Sequence, residues 1–299
     1  VFGITSSVEL VKAEEIKSKK LKIVVDAVNS TGGIIIPKLL KKLNIEVVEL
    51  YCEPNGDFPH NPEPLKKNLK DLSQKVIECG ADMGIAVDPD VDRLVFVCEN
   101  GEIFGEENTL VACADYVLSK NPGSTVSNLS SSIALRDITE KYNQTHFYSA
   151  VGEINVVEKM KKVNAVIGGE GNGGVIYPES HYGRDAIVGI GLFLSLYTER
   201  NLSLSKLIET YPKYFMVKQS INLSNSINID DVLKQIATKY ENESVDCVDG
   251  VRIDFEKSWV QIRKSNTEPI IRVYSEARSK KKANDLISVI ESLIKDITN

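Results

Sequence analysis

Three carboxylates fall at alternate positions in the hexapeptide Asp88-Pro89-Asp90-Val91-Asp92-Arg93, between the apolar runs Asp82–Val87 and Leu94–Val97. The flanking runs read as buried strands, so the acids share one tight loop. Packing gives little reason to gather three negative charges there. At neutral pH they repel, and a bound cation relieves that most simply. Carboxylate oxygens are hard ligands that point to Mg²⁺, an ion that keeps positions open for water or a substrate phosphate. Asp88, Asp90 and Asp92 are therefore candidate metal ligands, and Arg93 directly after them suits a phosphate. On this loop alone, a plain Asp-Pro turn competes with the metal. A calcium EF-hand fits poorly, because its glycine position holds Arg93 and the flanks are strand-like.

Two further loops bear on the same chemistry. In Gly168-Gly-Glu-Gly-Asn-Gly-Gly174, five glycines in seven residues let the backbone turn sharply and approach a ligand. They frame Glu170 and Asn172, small polar groups able to hydrogen-bond hydroxyls, as sugar recognition requires. A functionless glycine hairpin is the competing explanation. The segment lacks the Lys-Ser/Thr of a P-loop. In Arg263-Lys-Ser-Asn-Thr-Glu-Pro269, with Arg272 three residues on, two guanidinium forks, two hydroxyls and an amide surround space for a phosphate dianion. A basic hairpin turn is the alternative here. Metal, hydroxyl and phosphate loops follow one another on three successive units.

The elements that position them alternate in type. Strands at 21–28, 45–50 and 82–87 and helices at 34–43 and 65–79 give a βαβαβ pattern with a parallel sheet. The Asp loop lies just past a strand's carboxyl end, where open α/β sheets bind ligands. A second α/β unit starts near Gly105, with helices at 107–118, 133–142 and 154–162, strands at 125–129 and 165–168, and an apolar helix at 185–197. After Tyr211-Pro212 the pattern becomes strand 215–223, helix 229–240, strands near 250–255, 259–263 and 270–275, and a final helix 280–298, a small α+β domain.

Composition sets limits on function. The 299 residues, 42% hydrophobic and 26% charged, suit two or three ordinary soluble domains. No run approaches a membrane span, and a net charge of −6 argues against a general nucleic-acid binder. Five scattered cysteines without a C-x-x-C pair suit reduced thiols, so a cytoplasmic location is expected.

With these residues in view, the whole chain resembles the α-D-phosphohexomutase superfamily. Asp88–Arg93 matches its metal loop (D-G-D-G-D-R or D-P-D-G-D-R), Gly169–Gly174 its sugar loop, and Arg263–Arg272 its phosphate loop. The wording of these loops, with Tyr182-Gly-Arg-Asp-Ala186, most resembles bacterial phosphoglucosamine mutases. The resemblance implies two three-layer α/β domains, 1–104 and 105–211, and a smaller α+β domain of TATA-binding-protein-like fold, 212–299. It implies transfer between 1-phospho and 6-phospho sugars through a phosphoserine and a bisphosphate, most simply between glucosamine 6-phosphate and glucosamine 1-phosphate. Asp88, Asp90 and Asp92 then hold Mg²⁺, and Arg93 steadies the transferring phosphate as the catalytic residue. Glu170 and Asn172 hold sugar hydroxyls, while Arg263, Ser265, Asn266, Thr267 and Arg272 anchor the phosphate that is not reacting.

Departures accompany the match. Val91 stands where the family usually has glycine, and a turn that needs positive φ would strain it. Some relatives have histidine where this chain has Gly174. His181 is a weak substitute, and Asp185 reads as a helix N-cap. The family's T-A-S-H-N-P-like serine loop does not occur, so the chain is expected to be domains two to four of a longer enzyme, partnered by a missing serine domain and inactive alone. A phosphoglucomutase or phosphomannomutase, a non-catalytic phosphosugar-binding protein and a metal phosphohydrolase are the alternatives.

Overall fold

The computed structural model describes residues 9–222, 227–265 and 270–298. They form two compact units, the first reaching Tyr148 and resuming from Gly152 to Pro212, the second running from Lys213 onward together with Ser149–Val151.

The first unit opens with α1 (Ala13–Ser18), β1 (Lys22–Asp26), α2 (Gly32–Lys42), β2 (Glu46–Leu50), α3 (Lys70–Glu78), β3 (Met83–Val87) and β4 (Leu94–Cys98). The expected helix at 65–79 is divided, a short 3₁₀ turn at Lys66–Asn68 preceding α3. The sheet runs β2-β1-β3-β4, with β1 parallel to both neighbours. All of β3 and β4 is buried, which is why their sequences are continuously apolar rather than alternating. Gly84 lets α3 close on the sheet: a Cβ there would lie 2.9 Å from Val76 Cγ2. The parallel sheet expected from the sequence acquires one antiparallel member. Val87 pairs with Leu94 across β3 and β4, because the six residues between them are too few for a parallel crossover. The Asp loop is therefore the tip of a hairpin.

The same plan recurs in α4 (Glu106–Lys120), β5 (Thr125–Asn128), α5 (Ala134–Lys141), β6 (His146–Ser149), α6 (Glu153–Val163), β7 (Ile167–Glu170), β8 (Gly174–Ile176), α7 (Ala186–Arg200) and α8 (Leu204–Ile208). The sheet runs β6-β5-β7-β8, β5 parallel to β7 and β7 antiparallel to β8. Glu170 pairs with Gly174, so the glycine loop is also a hairpin tip. The sequence does not announce β6 or β8: the first is mostly half-buried and the second is only three residues, beginning on the last glycine of the run.

Helix α7 joins the two α/β halves. Ten of its residues between Ala186 and Leu196 are buried, as expected of a helix apolar all round. Phe193 stacks on Phe96 of β4 with centroids 3.6 Å apart, and Phe104 meets both rings edge-on. Gly189 admits Leu94, whose Cδ2 would be 2.9 Å from a Cβ there.

The second unit contains β9 (Phe215–Asn222), α9 (Ile229–Lys239), β10 (Ser244–Asp246), β11 (Val251–Phe255), β12 (Ser258–Lys264), β13 (Ile270–Ala277) and α10 (Lys280–Thr298). Its sheet, β10-β11-β12-β13-β9, is antiparallel throughout. Ile253, Val260, Ile262, Ile271 and Val273 form a core with Ile236 of α9 and Ile287 and Ile290 of α10. The fold is thus two parallel-sheet α/β domains followed by an antiparallel α+β domain.

Candidate active site

The Asp loop is held by six hydrogen bonds that its own sequence, the β1–α2 loop and the start of α7 provide. Asp88 Oδ1 accepts from the backbone N–H of Asp92 and of Arg93, both at 3.0 Å. Val91 N donates to Asp88 O at 3.2 Å, and Ala186 N donates to Val91 O at 3.0 Å. Ser30 Oγ and Thr31 Oγ1 both donate to Pro89 O, at 2.9 and 2.7 Å. In this frame Val91 takes φ 62°, a left-handed conformation that a β-branched residue adopts only when its surroundings over-determine it.

One ligand oxygen from each of Asp88, Asp90 and Asp92 lies within 4.8 Å of the others. Three carboxylate oxygens gathered this closely are the hard-oxygen donor set that a Mg²⁺ ion takes. The donor set fits the ion in a second way: Asp92 Oδ1 is buried and accepts no hydrogen bond. Burial pushes the Asp88 carboxyl up to about 7, with the neighbouring charges of Asp92 and Asp90 adding to the rise and the Arg93 N–H opposing it. That is the cost of burying one carboxylate with two others beside it, which a cation offsets. Arg93 reaches Glu63 at 3.3 Å and Asp88 Oδ2 at 3.4 Å, and its side chain is 29% exposed. Glu99, the twelfth position of the rejected calcium loop, is occupied elsewhere, accepting from Ser205 N and Oγ at the start of α8.

The glycine loop is equally constrained. Glu170 is 5% exposed. Its Oε1 accepts from Asn128 Nδ2 at 2.7 Å and Gly152 N at 3.1 Å, and its Oε2 from Arg184 Nη1 at 2.7 Å. Asn172 Oδ1 accepts from Gly174 N at 3.1 Å. Ser131 Oγ bridges, donating to Asn128 Oδ1 and accepting from Gly171 N, both at 2.9 Å. Gly169 is required by close approach, since a Cβ would lie 2.0 Å from Gly174 O.

The two hairpin tips meet. Leu94 N donates to Gly173 O at 3.0 Å. Arg184 lies between them, one fork nitrogen on Asp92 Oδ2 and the other on Glu170 Oε2. Sequence reasoning gives Arg184, Asn128, Ser131, Ser30 and Thr31 no role. Their only traces are the Gly183-Arg-Asp wording and the Ser130–Ser132 run. His181 pairs with Asp185 at 2.9 Å, and Asp185 Oδ1 caps α7 at Ile187 N and Val188 N, so both are structural.

The phosphate-loop residues lie on the second unit. Arg263 and Arg272 face each other directly across β12 and β13. Like charges in such a pair repel, an arrangement suited to an anion. Ser265 N donates to Ile270 O at 3.0 Å. Asn266 and Thr267 lie outside the described residues.

Two α/β domains with loop-bearing hairpins and a following antiparallel domain are the architecture of phosphohexomutases. The chain belongs to the phosphoglucomutase/phosphomannomutase family: residues 4–101 match its alpha/beta/alpha domain II, 106–214 its alpha/beta/alpha domain III and 223–292 its C-terminal domain. It is 35% identical over 290 residues to a phosphoglucomutase/phosphomannomutase of Thermococcus kodakarensis, covering 96% of this chain and 63% of that protein. A phosphoglucosamine/phosphogalactosamine mutase of Sulfurisphaera tokodaii is 31% identical over 300 residues, covering 98% of this chain and 65% of that one. The crystal structure of a phosphoglucomutase/phosphomannomutase family protein from Burkholderia thailandensis superposes with a TM-score of 0.83 at 28% identity, covering 95% of this chain and 63% of that chain. The chain thus spans a little under two thirds of the length of these relatives. Among the described residues, no helix is long and apolar enough to cross a membrane.

Proposed function

We propose that these residues form the metal-, sugar- and phosphate-binding body of a hexosamine phosphate mutase that interconverts glucosamine 6-phosphate and glucosamine 1-phosphate. The observation that carries this is the junction of the two hairpin tips, which sets a carboxylate cluster beside the loop that carries Glu170 and Asn172. Mg²⁺ held by Asp88, Asp90 and Asp92 would neutralise charge on the transferring phosphoryl group. Arg93, partly exposed at the same tip, orients the phosphoryl oxygens. Glu170 already accepts three hydrogen bonds, and a carboxylate has room for a fourth, from a sugar hydroxyl. Asn172 Oδ1 is engaged with Gly174, so its amide Nδ2 is the group that meets sugar oxygens. Arg263 and Arg272, with Ser265, Asn266 and Thr267, hold the distal phosphate. The glucosamine preference is supported by the wording of the loops and by the Sulfurisphaera tokodaii relative.

The family's serine motif does not occur in the 299 residues. The phosphoserine is therefore proposed to come from a further domain, and the chain alone to bind without turning over. Calorimetry of the chain with Mg²⁺ and each of glucosamine, glucose and mannose 6-phosphate tests this. Glucosamine 6-phosphate is expected to bind most tightly. Tighter binding of another sugar refutes the substrate, binding of none refutes the site, and mutase turnover refutes the need for a further domain. Release of p-nitrophenol from p-nitrophenyl phosphate would instead support the phosphohydrolase.

A further inference from the structure

Arg184 is the cation around which the candidate site is assembled. Its backbone N–H donates to Glu153 Oε1 at 2.8 Å, its Nε faces Glu153 Oε2 at 3.5 Å, and its fork grips Asp92 and Glu170. The side chain is 14% exposed. Room for it is made by Gly174, where a Cβ would lie 2.3 Å from Arg184 Cδ. The neighbouring peptide is fixed too, by Ala186 N to Val91 O and by the Asp185 cap. The fork takes Asp92 Oδ2 and leaves Oδ1 buried without a hydrogen bond, 3.8 Å from Arg93 Nε.

We infer that Arg184 is a positioning residue that couples the metal loop to the sugar loop by sharing one guanidinium between Asp92 and Glu170. This rests on the proposed metal and phosphosugar site. The sharing has opposite consequences for the two ligands. A guanidinium bound to Asp92 competes with a divalent cation for that carboxylate and repels it. The same guanidinium favours an anionic sugar phosphate and holds Glu170 in place for its hydroxyls. A side chain that only packed the loops together would affect both ligands in one direction.

The test uses the full chain, Mn²⁺ as the metal probe and glucosamine 6-phosphate as the sugar probe. Mn²⁺ affinity is read from the electron paramagnetic resonance of the free ion, and sugar phosphate affinity by calorimetry. In Arg184→Gln, Mn²⁺ is expected to bind at least about fivefold more tightly and glucosamine 6-phosphate about tenfold more weakly, both within the usual range of coupling between sites. Arg184→Lys keeps the charge but reaches only one carboxylate, so it gives the same two shifts at smaller size and serves if the glutamine variant fails to fold. Shifts in one direction, or unchanged affinities in a folded variant, overturn the inference while leaving the site itself standing. If the parent chain binds neither probe, the site and the inference fall together. In a second arm, Glu170→Gln leaves Arg184 to Asp92 and weakens Mn²⁺ binding by about tenfold. The same substitution made on Arg184→Gln has at most about a twofold effect, and equal effects in the two backgrounds refute the coupling.

Discussion

Position 91 offers a sharp test of how the Asp loop is built. Val91 has φ 62°, and its neighbours hold it there through Val91 N to Asp88 O, Ala186 N to Val91 O and the Ser30 and Thr31 hydroxyls on Pro89 O. Comparing Val91→Ala with Val91→Gly isolates the backbone, because both variants lose the valine side chain. A left-handed conformation costs an L-residue about 1–2 kcal/mol, and glycine escapes that cost. Glycine gives back about 0.5–1 kcal/mol through its greater freedom in the unfolded chain. The balance leaves Val91→Gly more stable than Val91→Ala by about 0.75 kcal/mol at the middle of these ranges and about 1.5 kcal/mol at most, the reverse of the order at an ordinary helix or strand position. For a unit of this size the difference corresponds to about 1–4 °C in Tm. Scanning calorimetry in EDTA measures it without interference from metal. An alanine variant that melts at or above the glycine variant would show that the turn relaxes to negative φ, and the account of a strained, over-determined loop would be wrong.

Other perturbations follow from the same geometry. Gly169→Ala drives a Cβ to within 2.0 Å of the Gly174 carbonyl oxygen, which is backbone and cannot rotate away. Urea unfolding of the first unit is expected to lose more than about 2 kcal/mol, and a loss below about 0.5 kcal/mol would mean the hairpin is looser than described. His60 Nε2 faces Asp26 Oδ2 at 3.0 Å and its Nδ1 faces Asn61 O at 2.8 Å, so an imidazolium donates to both. The hydrogen bond to Asp26 raises its pKa, against the opposing effect of burial, with the charges of Asp26 and Asp71 adding to the rise. A raised folded-state pKa gives stability that is complete below the unfolded value of 6.5 and is lost as pH climbs through the folded value. The stability gap between the parent and His60→Gln should therefore be widest near pH 6 and narrow towards pH 9; a gap that widens with pH contradicts the ion pair. Inorganic phosphate is expected to raise the Tm of the parent chain through Arg263 and Arg272, and Arg263→Gln to abolish most of that rise. An undiminished rise would place the anion elsewhere.

Much of this was legible in the sequence, and what was not has a physical cause. The strands at 22–26, 83–87 and 94–98 are buried on both sides and so read as unbroken apolar runs, and the helix Ala186–Arg200 is apolar all round for the same reason. The three candidate loops hold their polar residues close together in sequence, so spacing alone exposes them. β6 and β8 stayed hidden because one is mostly half-buried and the other is only three residues long, beginning on the last glycine of the run. The hairpin form of both loop-bearing segments was recoverable in principle, from the short distance between their flanking strands.

The junction between the loops was not recoverable, and the reason lies in how a charge network is specified. Arg184 meets Asp92 across 92 positions, and Asn128 meets Glu170 across 42. No local periodicity records such pairs, because each residue alone is an ordinary polar member of a loop. What the sequence does record is the space they need: a Cβ at Gly174 would strike Arg184, and one at Gly171 would lie 2.0 Å from Glu107 Oε2. The glycines that suggest a loop approaching a ligand are thus in part places where the protein's own arginine and glutamate approach the backbone. Glu170 shows the consequence. By residue type it is a free acceptor for hydroxyls, yet in the fold it is a buried carboxylate with three protein donors, one of them tied to the metal loop. The sugar contact proposed for it would then depend on the state of Asp92, a dependence visible only once the two hairpins are brought together.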